Sequence, residues 1–220
     1  MNRSVADLIE RQRQLAAQVE PCNHLTADPE TVAGVDVAFP EQGRITRAAA
    51  VLLSFPELEP IDKATAELPT TLPYIPGLLS FRELPAVLAA LRGLGRQPDV
   101  VLCDGQGLAH PRRFGIACHL GVETGLVTVG VGKSRLCGHH DDPDPERGQH
   151  CPLVDGGDVI GSVLRTRTRV RPVYVSIGHR ISLQAARDLV LRCAPRYRLP
   201  EPIRCADRLA GNRQSSVWSR

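Results

Sequence analysis

Three carboxylates occupy positions that ordinary packing does not favour. Asp36 lies in the middle of the apolar run TVAGVDVAF (31–39), Asp104 follows VVLC (100–103), and Glu83 opens SFRELPAVLAALRGL (80–94). A carboxylate buried without a partner is costly, or it takes up a proton. Asp36 therefore implies either a paired arginine or a bound cation. Asp104 ends an apolar strand, where ligands gather in open α/β sheets, although Asp-Gly is also an ordinary turn pair. Glu83 fits a capping box with Ser80. If the three converge at one sheet edge, they repel one another unless a divalent cation lies between them. Hard oxygen donors of this kind suit Mg²⁺ or Mn²⁺.

A lysine adds to the set. VGVGKSR (129–135) resembles a phosphate-binding loop, but the Walker pattern needs glycine where Val127 stands, so the ATPase reading fails. Lys133 remains at the end of an apolar strand. Only Lys63 and Lys133 are lysines among 27 basic residues, which favours a role for a compact ammonium over a planar guanidinium.

PYIPGLLSFRE (73–83) holds one of the three tyrosines between prolines. Pro73 and Pro76 fix their own backbone angles and push the preceding residues toward extended conformations. The segment reads as a stiff loop presenting Tyr74 and Ile75; the alternative folds Tyr74 back onto the core. RTRTRVR (165–171) places Arg165, Arg167, Arg169 and Arg171 on alternate positions. In an extended chain they share one side about 6.6 Å apart, fit to follow a phosphate backbone or to rim a solvated hairpin.

The elements that must position these residues follow from periodicity. Residues 4–20 have helical spacing; 31–39 and 47–55 read as strands, with a third within 57–68. Helix 80–94 leads to a buried strand at 99–105, a helix within 111–124 and a strand at 126–131. VIGSVLRT, PVYVSIG and a helix capped by Ser182 (182–193) complete the series, and 211–220 reads as a loose tail. Strands in hairpin succession followed by strand–helix alternation predict an α/β mixed sheet with helices on its faces.

Length 220 fits one domain, with hydrophobic content of 42% and charged content of 23%. No run approaches the ~18 apolar residues of a membrane span, and the polar amphipathic start is unlike a signal peptide, so a cytoplasmic protein is expected. Net charge of +3 does not by itself demonstrate a nucleic-acid partner. Seven scattered cysteines read mostly as small buried hydrophobes. Cys137, His139, His140, His150 and Cys151 match no common zinc spacing and read as an exposed loop.

With these blocks in view, the chain resembles the endonuclease V family, the deoxyinosine 3′ endonucleases. VAGVDVAFP, PYIPGLLSFRE, DGQGLAHPRRFGIACHLG and TVGVGKSRLCG carry the likeness in the right order, and PEPIRCAD adds a fifth block. The resemblance implies a ribonuclease-H-like mixed sheet with helices on both faces. It implies Mg²⁺-dependent hydrolysis of the second phosphodiester 3′ to deoxyinosine in DNA, leaving 3′-hydroxyl and 5′-phosphate ends, with Mn²⁺ as substitute. It assigns Asp36 and Asp104 to the metal, Glu83 as the third acid, Lys133 as the catalytic lysine and Asp207 as the fourth acidic position. Tyr74 corresponds to the wedge that opens the duplex, set among Pro73, Ile75 and Pro76. Leu79, Gly105, Gly107, His110, Ile116 and Leu136 correspond to positions around the extruded base. Gly132 stands where alanine is common and Cys118 where serine is common; neither removes a reactive group. A monomer is expected. Inosine-containing RNA is an alternative substrate, and a catalytically silent nucleic-acid-binding module is a second alternative, against which the four retained acids argue.

Overall fold

β4 (Val100–Asp104) and β5 (Val127–Gly132) are almost continuously buried, as strands covered on both faces must be. They form the centre of an eight-stranded sheet in a computed structural model that describes residues 4–212. The tail expected over 211–220 therefore lies, from residue 213 onward, outside the described residues. The remaining strands are β1 (Thr31–Ala38), β2 (Ile45–Ser54), β3 (Pro60–Pro69), β6 (His150–Asp155), β7 (Asp158–Leu164) and β8 (Val173–His179). The helices are α1 (Val5–Ala16), α2 (Leu79–Arg92), α3 (Ile116–Thr124), α4 (Leu183–Arg192) and α5 (Glu201–Ala210).

The strand order is β3-β2-β1-β4-β5-β8-β7-β6. β1, β4 and β5 run parallel, and the flanking pairs are antiparallel. Alternation divides the core. Val32, Leu102 and Val129 pack with Val190 and Ile203 of α4 and α5, whereas Ala33, Val35 and Val101 pack with Leu84, Val87 and Leu120 of α2 and α3. Helices thus cover both faces, as expected of the mixed sheet. β3 closes one edge with alternating half-exposed positions and a proline at each end, which suits an edge strand. Among the described residues no helix is long and apolar enough to cross a membrane.

Parity aims the acids. Val32, Gly34 and Asp36 share a face of β1, as Val100, Leu102 and Asp104 share one of β4. Val35 pairs with Cys103, so Asp36 and Asp104 come level at the ends of two parallel strands. At Gly34 a side chain has no room: a Cβ there would lie 2.1 Å from the Pro202 backbone. The missing side chain lets the start of α5 rest on β1 and carries Asp207 toward the same edge.

One expectation needs correction, and two elements have no counterpart in the sequence reading. α2 begins at Leu79 with no side-chain cap, so Ser80 and Glu83 form no capping box. Ser80 is buried instead and its hydroxyl bonds His119 Nδ1 at 3.0 Å. The segment 137–151 is largely exposed and irregular, as expected, until its last two residues open β6, whose Leu153 is buried against Ile160 and Val163. α5 had no assigned element, because Pro200 and Pro202 obscure a helix that tolerates proline in its first turn.

Candidate active site

The carboxylates of Asp36, Asp104 and Asp207 each offer an oxygen within 4.8 Å of the others. Asp36 Oδ1 accepts a hydrogen bond from the Val37 N–H at 2.8 Å, and among the described residues no arginine forms an ion pair with it. Lys133 Nζ lies against Asp104 Oδ2 and 3.8 Å from Asp207 Oδ1. Apart from that ion pair, Asp104 Oδ2 is buried without a hydrogen-bond partner. Glu83 reaches the same centre from the first turns of α2, freed by the absent capping box.

Mutual repulsion is legible in the acidities. Burial, followed by Asp104, pushes Asp36 up to about 7. Burial, followed by Asp36 and Asp104, pushes Glu83 up to about 8. Burial also raises Asp104 despite the opposing ammonium of Lys133. Burial pulls the Lys133 pKa down, but Asp104, Asp36 and Asp207 together hold it above its ordinary value. Four acids around one cation leave a net negative centre of oxygen donors. That donor set suits a hard divalent cation such as Mg²⁺ or Mn²⁺, which Asp36, Asp104 and Asp207 could hold with Glu83 beside them.

A cavity of about 300 Å³ opens next to this centre, and Glu83, Asp104 and Lys133 form part of its wall. Tyr74, Leu79, Gly105, His110, Ile116 and Leu136 also line it. Gly107 does not: it sits behind the wall, where its N–H donates to Ser176 Oγ at 2.8 Å. Pro73, Ile75 and Pro76 flank Tyr74 without lining the cavity. Tyr74 is 65% exposed, so the alternative in which it folds back onto the core fails. Burial, followed by the Arg112 charge, pushes His110 down to about 4, leaving a neutral imidazole whose Nδ1 accepts from the Arg112 N–H.

Two positioning groups have no local sequence signal. Gln12, fully buried on α1, donates through Nε2 to the Gly77 carbonyl at 3.0 Å and to the Phe114 carbonyl at 2.8 Å. Arg112 Nη2 donates to the same Gly77 carbonyl at 2.7 Å, and its Nε donates to Gln12 Oε1. Together they pin the end of the Tyr74 loop. On the opposite wall, Gln106 Nε2 donates to the Ser134 carbonyl at 3.0 Å. A Cβ on Gly132 would come within 2.1 Å of that Nε2, which gives the glycine at 132 a steric reason.

The arginine ladder does not form. β7 ends at Leu164 and the chain turns through 165–172. Arg165 folds inward, donating to the carbonyls of Pro143, Asp144 and Val170 at 2.6–3.1 Å. Arg167, Arg169 and Arg171 stay exposed. Arg198 ties this turn to the centre by donating to the carbonyls of Arg171, Pro172 and Lys133.

Acids at the ends of two parallel strands and on a covering helix, in this sheet order, define a nuclease of the ribonuclease-H-like fold. The family model for endonuclease V matches residues 13–208. An endonuclease V of Trichormus variabilis is 53% identical over 210 residues, covering 96% of this chain and 95% of the relative. The crystal structure of the endonuclease V of Streptomyces avermitilis superposes with a TM-score of 0.91 at 43% identity, covering 96% of this chain and 93% of that one. That of Ciona intestinalis endonuclease V, in complex with a 24mer DNA containing an inosine followed by a ribo-adenosine, has a TM-score of 0.82 at 27% identity, covering 94% and 96%. The chain belongs to the endonuclease V family.

Proposed function

We propose that the protein, a cytoplasmic monomer, incises DNA beside a deaminated adenine. It hydrolyses the second phosphodiester 3′ to deoxyinosine in a Mg²⁺-dependent reaction, leaving 3′-hydroxyl and 5′-phosphate ends. The observation that carries this reading is that one cavity and one acid–lysine centre share Asp104 and Lys133. A base held in the cavity therefore brings its own backbone to the acids.

Deamination replaces adenine's amino donor by a carbonyl, weakens pairing with thymine and lowers the cost of extrusion. Gly105, a neutral His110 and apolar Leu79, Ile116 and Leu136 would receive the base. Tyr74 would fill the place it leaves, since base–aromatic stacking contributes ~1–3 kcal/mol. Mg²⁺, held by Asp36 and Asp104 with Asp207 and Glu83 completing the donor set, would supply an activated water and charge stabilisation at the cut phosphate; Mn²⁺ shares the donor preference. Asp36 and Glu83, raised toward neutrality, would have to give up their protons to serve as ligands of such a cation. Lys133 places a compact positive charge beside the phosphate.

The test is a nicking assay with a duplex carrying one deoxyinosine, with and without Mg²⁺, and its undamaged counterpart. Incision confined to the inosine strand in the presence of Mg²⁺ supports the reading; equal cutting of both duplexes, or none, rejects it. The ribo-adenosine in the Ciona intestinalis complex favours a parallel arm with inosine-containing RNA.

A further inference from the structure

We propose that Glu20, Cys22 and His24 form a second metal site, for a borderline ion such as Zn²⁺, on the loop that joins α1 to β1. Glu20 Oε2 lies 2.9 Å from His24 Nε2, and Cys22 Sγ lies 3.3 Å from the same nitrogen. All three ligand atoms fall within 4.8 Å of one another. Tetrahedral zinc with bonds of about 2.0–2.3 Å sets its ligand atoms roughly 3.3–3.7 Å apart. The two contacts to His24 thus fall within a few tenths of an ångström of that spacing, with Glu20 and Cys22 no more than 4.8 Å apart.

The loop is held in this shape from outside. The Arg180 N–H donates to the Glu20 carbonyl at 2.7 Å, and the His24 N–H donates to the Arg180 carbonyl at 3.1 Å. The Glu20 N–H donates to Nδ1 of His179, a residue only 4% exposed. Arg180 Nη2 takes Glu20 Oε1 at 3.3 Å, which leaves Oε2 to the site. Cys22 and His24 are exposed, and a fourth position is open to water.

The donor set differs from that of the catalytic centre. One thiolate, one imidazole and one carboxylate select a borderline-soft ion, whereas Asp36, Asp104 and Asp207 select a hard one. The two sites also sit at opposite ends of the sheet: His179 pairs with Thr128 near the start of β5, while Lys133 follows its far end. The ion at the loop takes no part in incision. It clips the α1–β1 connection to the end of β8 and, by binding only the folded chain, adds stability with concentration. On binding, the thiol proton leaves to solvent and the imidazole, which in the free loop donates from Nε2 to Glu20, gives up that proton through solvent and carries its remaining proton on Nδ1.

Thiol labelling of the full chain tests this, with ZnCl₂ or MgCl₂ as the only added ion and peptide mapping to read Cys22, the exposed cysteine. Because the free thiolate is the nucleophile, equimolar Zn²⁺ should slow Cys22 labelling at least about tenfold while Mg²⁺ does not. His24→Ala should abolish that protection, and Asp104→Asn should retain it. Co²⁺ should give a thiolate charge-transfer band that Cys22→Ser lacks. Cys22 labelling unaffected by Zn²⁺, or equal protection in His24→Ala, overturns the proposal.

Discussion

Gln12 and Gly77, 65 residues apart, are joined by a 3.0 Å hydrogen bond from the buried Gln12 side chain to the Gly77 carbonyl. Arg112 meets the same carbonyl, so the loop that exposes Tyr74 is fixed at its downstream end as well as by its prolines. Without that order, part of the stacking gain would be lost to loop entropy. Gln12→Ala and Tyr74→Ala should each slow incision of inosine in a duplex about tenfold, by the loss of roughly 1.4 kcal/mol of stacking or of loop order. Inosine in a single strand, with little stack to open, should be cut at close to the wild-type rate. Parallel time courses on the two substrates decide, and equal losses on both would remove the wedge role.

The raised acids predict how the metal-free protein responds to pH. Asp36 and Glu83 titrate near 7 and 8 in the fold but near 4 when unfolded. Between those values the folded state holds protons that the unfolded state has lost, so stability falls as pH rises. The melting temperature in chelator should therefore drop by several degrees from pH 5 to pH 8. Asp36→Asn should flatten that slope, and Mg²⁺ should restore more stability at pH 8 than at pH 6. A melting temperature rising over this range would show that the acids are not mutually strained.

Lys133 makes contact as a point charge with Asp104 and Asp207. A guanidinium keeps the charge but cannot occupy the same position. Lys133→Arg should lose at least about tenfold in kcat, measured under single-turnover conditions with Mg²⁺ saturating. Full activity would reduce Lys133 to a generic phosphate contact.

Gly132 and Gln106 should behave as a coupled pair. In Gly132→Ala the new Cβ pushes the Gln106 amide away from the Ser134 carbonyl that it bonds, at a cost of about 1 kcal/mol. Adding Gln106→Ala relieves the clash, so a double-mutant cycle in chemical denaturation should be clearly non-additive. Additive losses would show that the two side chains do not meet.

Much of this site is legible in the sequence because chemistry and local structure coincide there. Asp36 interrupts one apolar run and Asp104 ends another, so their strands and their anomaly are read together. Tyr74 is readable from its prolines. Glu83 is readable as an acid but misleading as a cap, since α2 starts one residue before Ser80 and Ser80 turns to His119 instead. Gln12, Arg112 and Gln106 act only through partners many residues away, and no local pattern marks such contacts. The arginine alternation misleads for a related reason: Arg165 finds carbonyls across a turn that periodicity cannot register. β6 hides behind histidines, prolines and acids because it lies at the edge of the sheet, paired along its length with β7 and on its other side only by a single bridge from Val154 to His139.

The central claim is that the acids of β1, β4 and α5 hold the ion for incision while the adjoining cavity, which meets them at Asp104 and Lys133, holds the base. Wild type and Asp104→Ala, incubated with the same inosine duplex and Mg²⁺, should be scored for complex and for nicked product in the same samples. The account predicts that Asp104→Ala binds the inosine duplex within about threefold of wild type yet loses at least ~10³-fold in incision. Incision by Asp104→Ala at a rate close to wild type would contradict it.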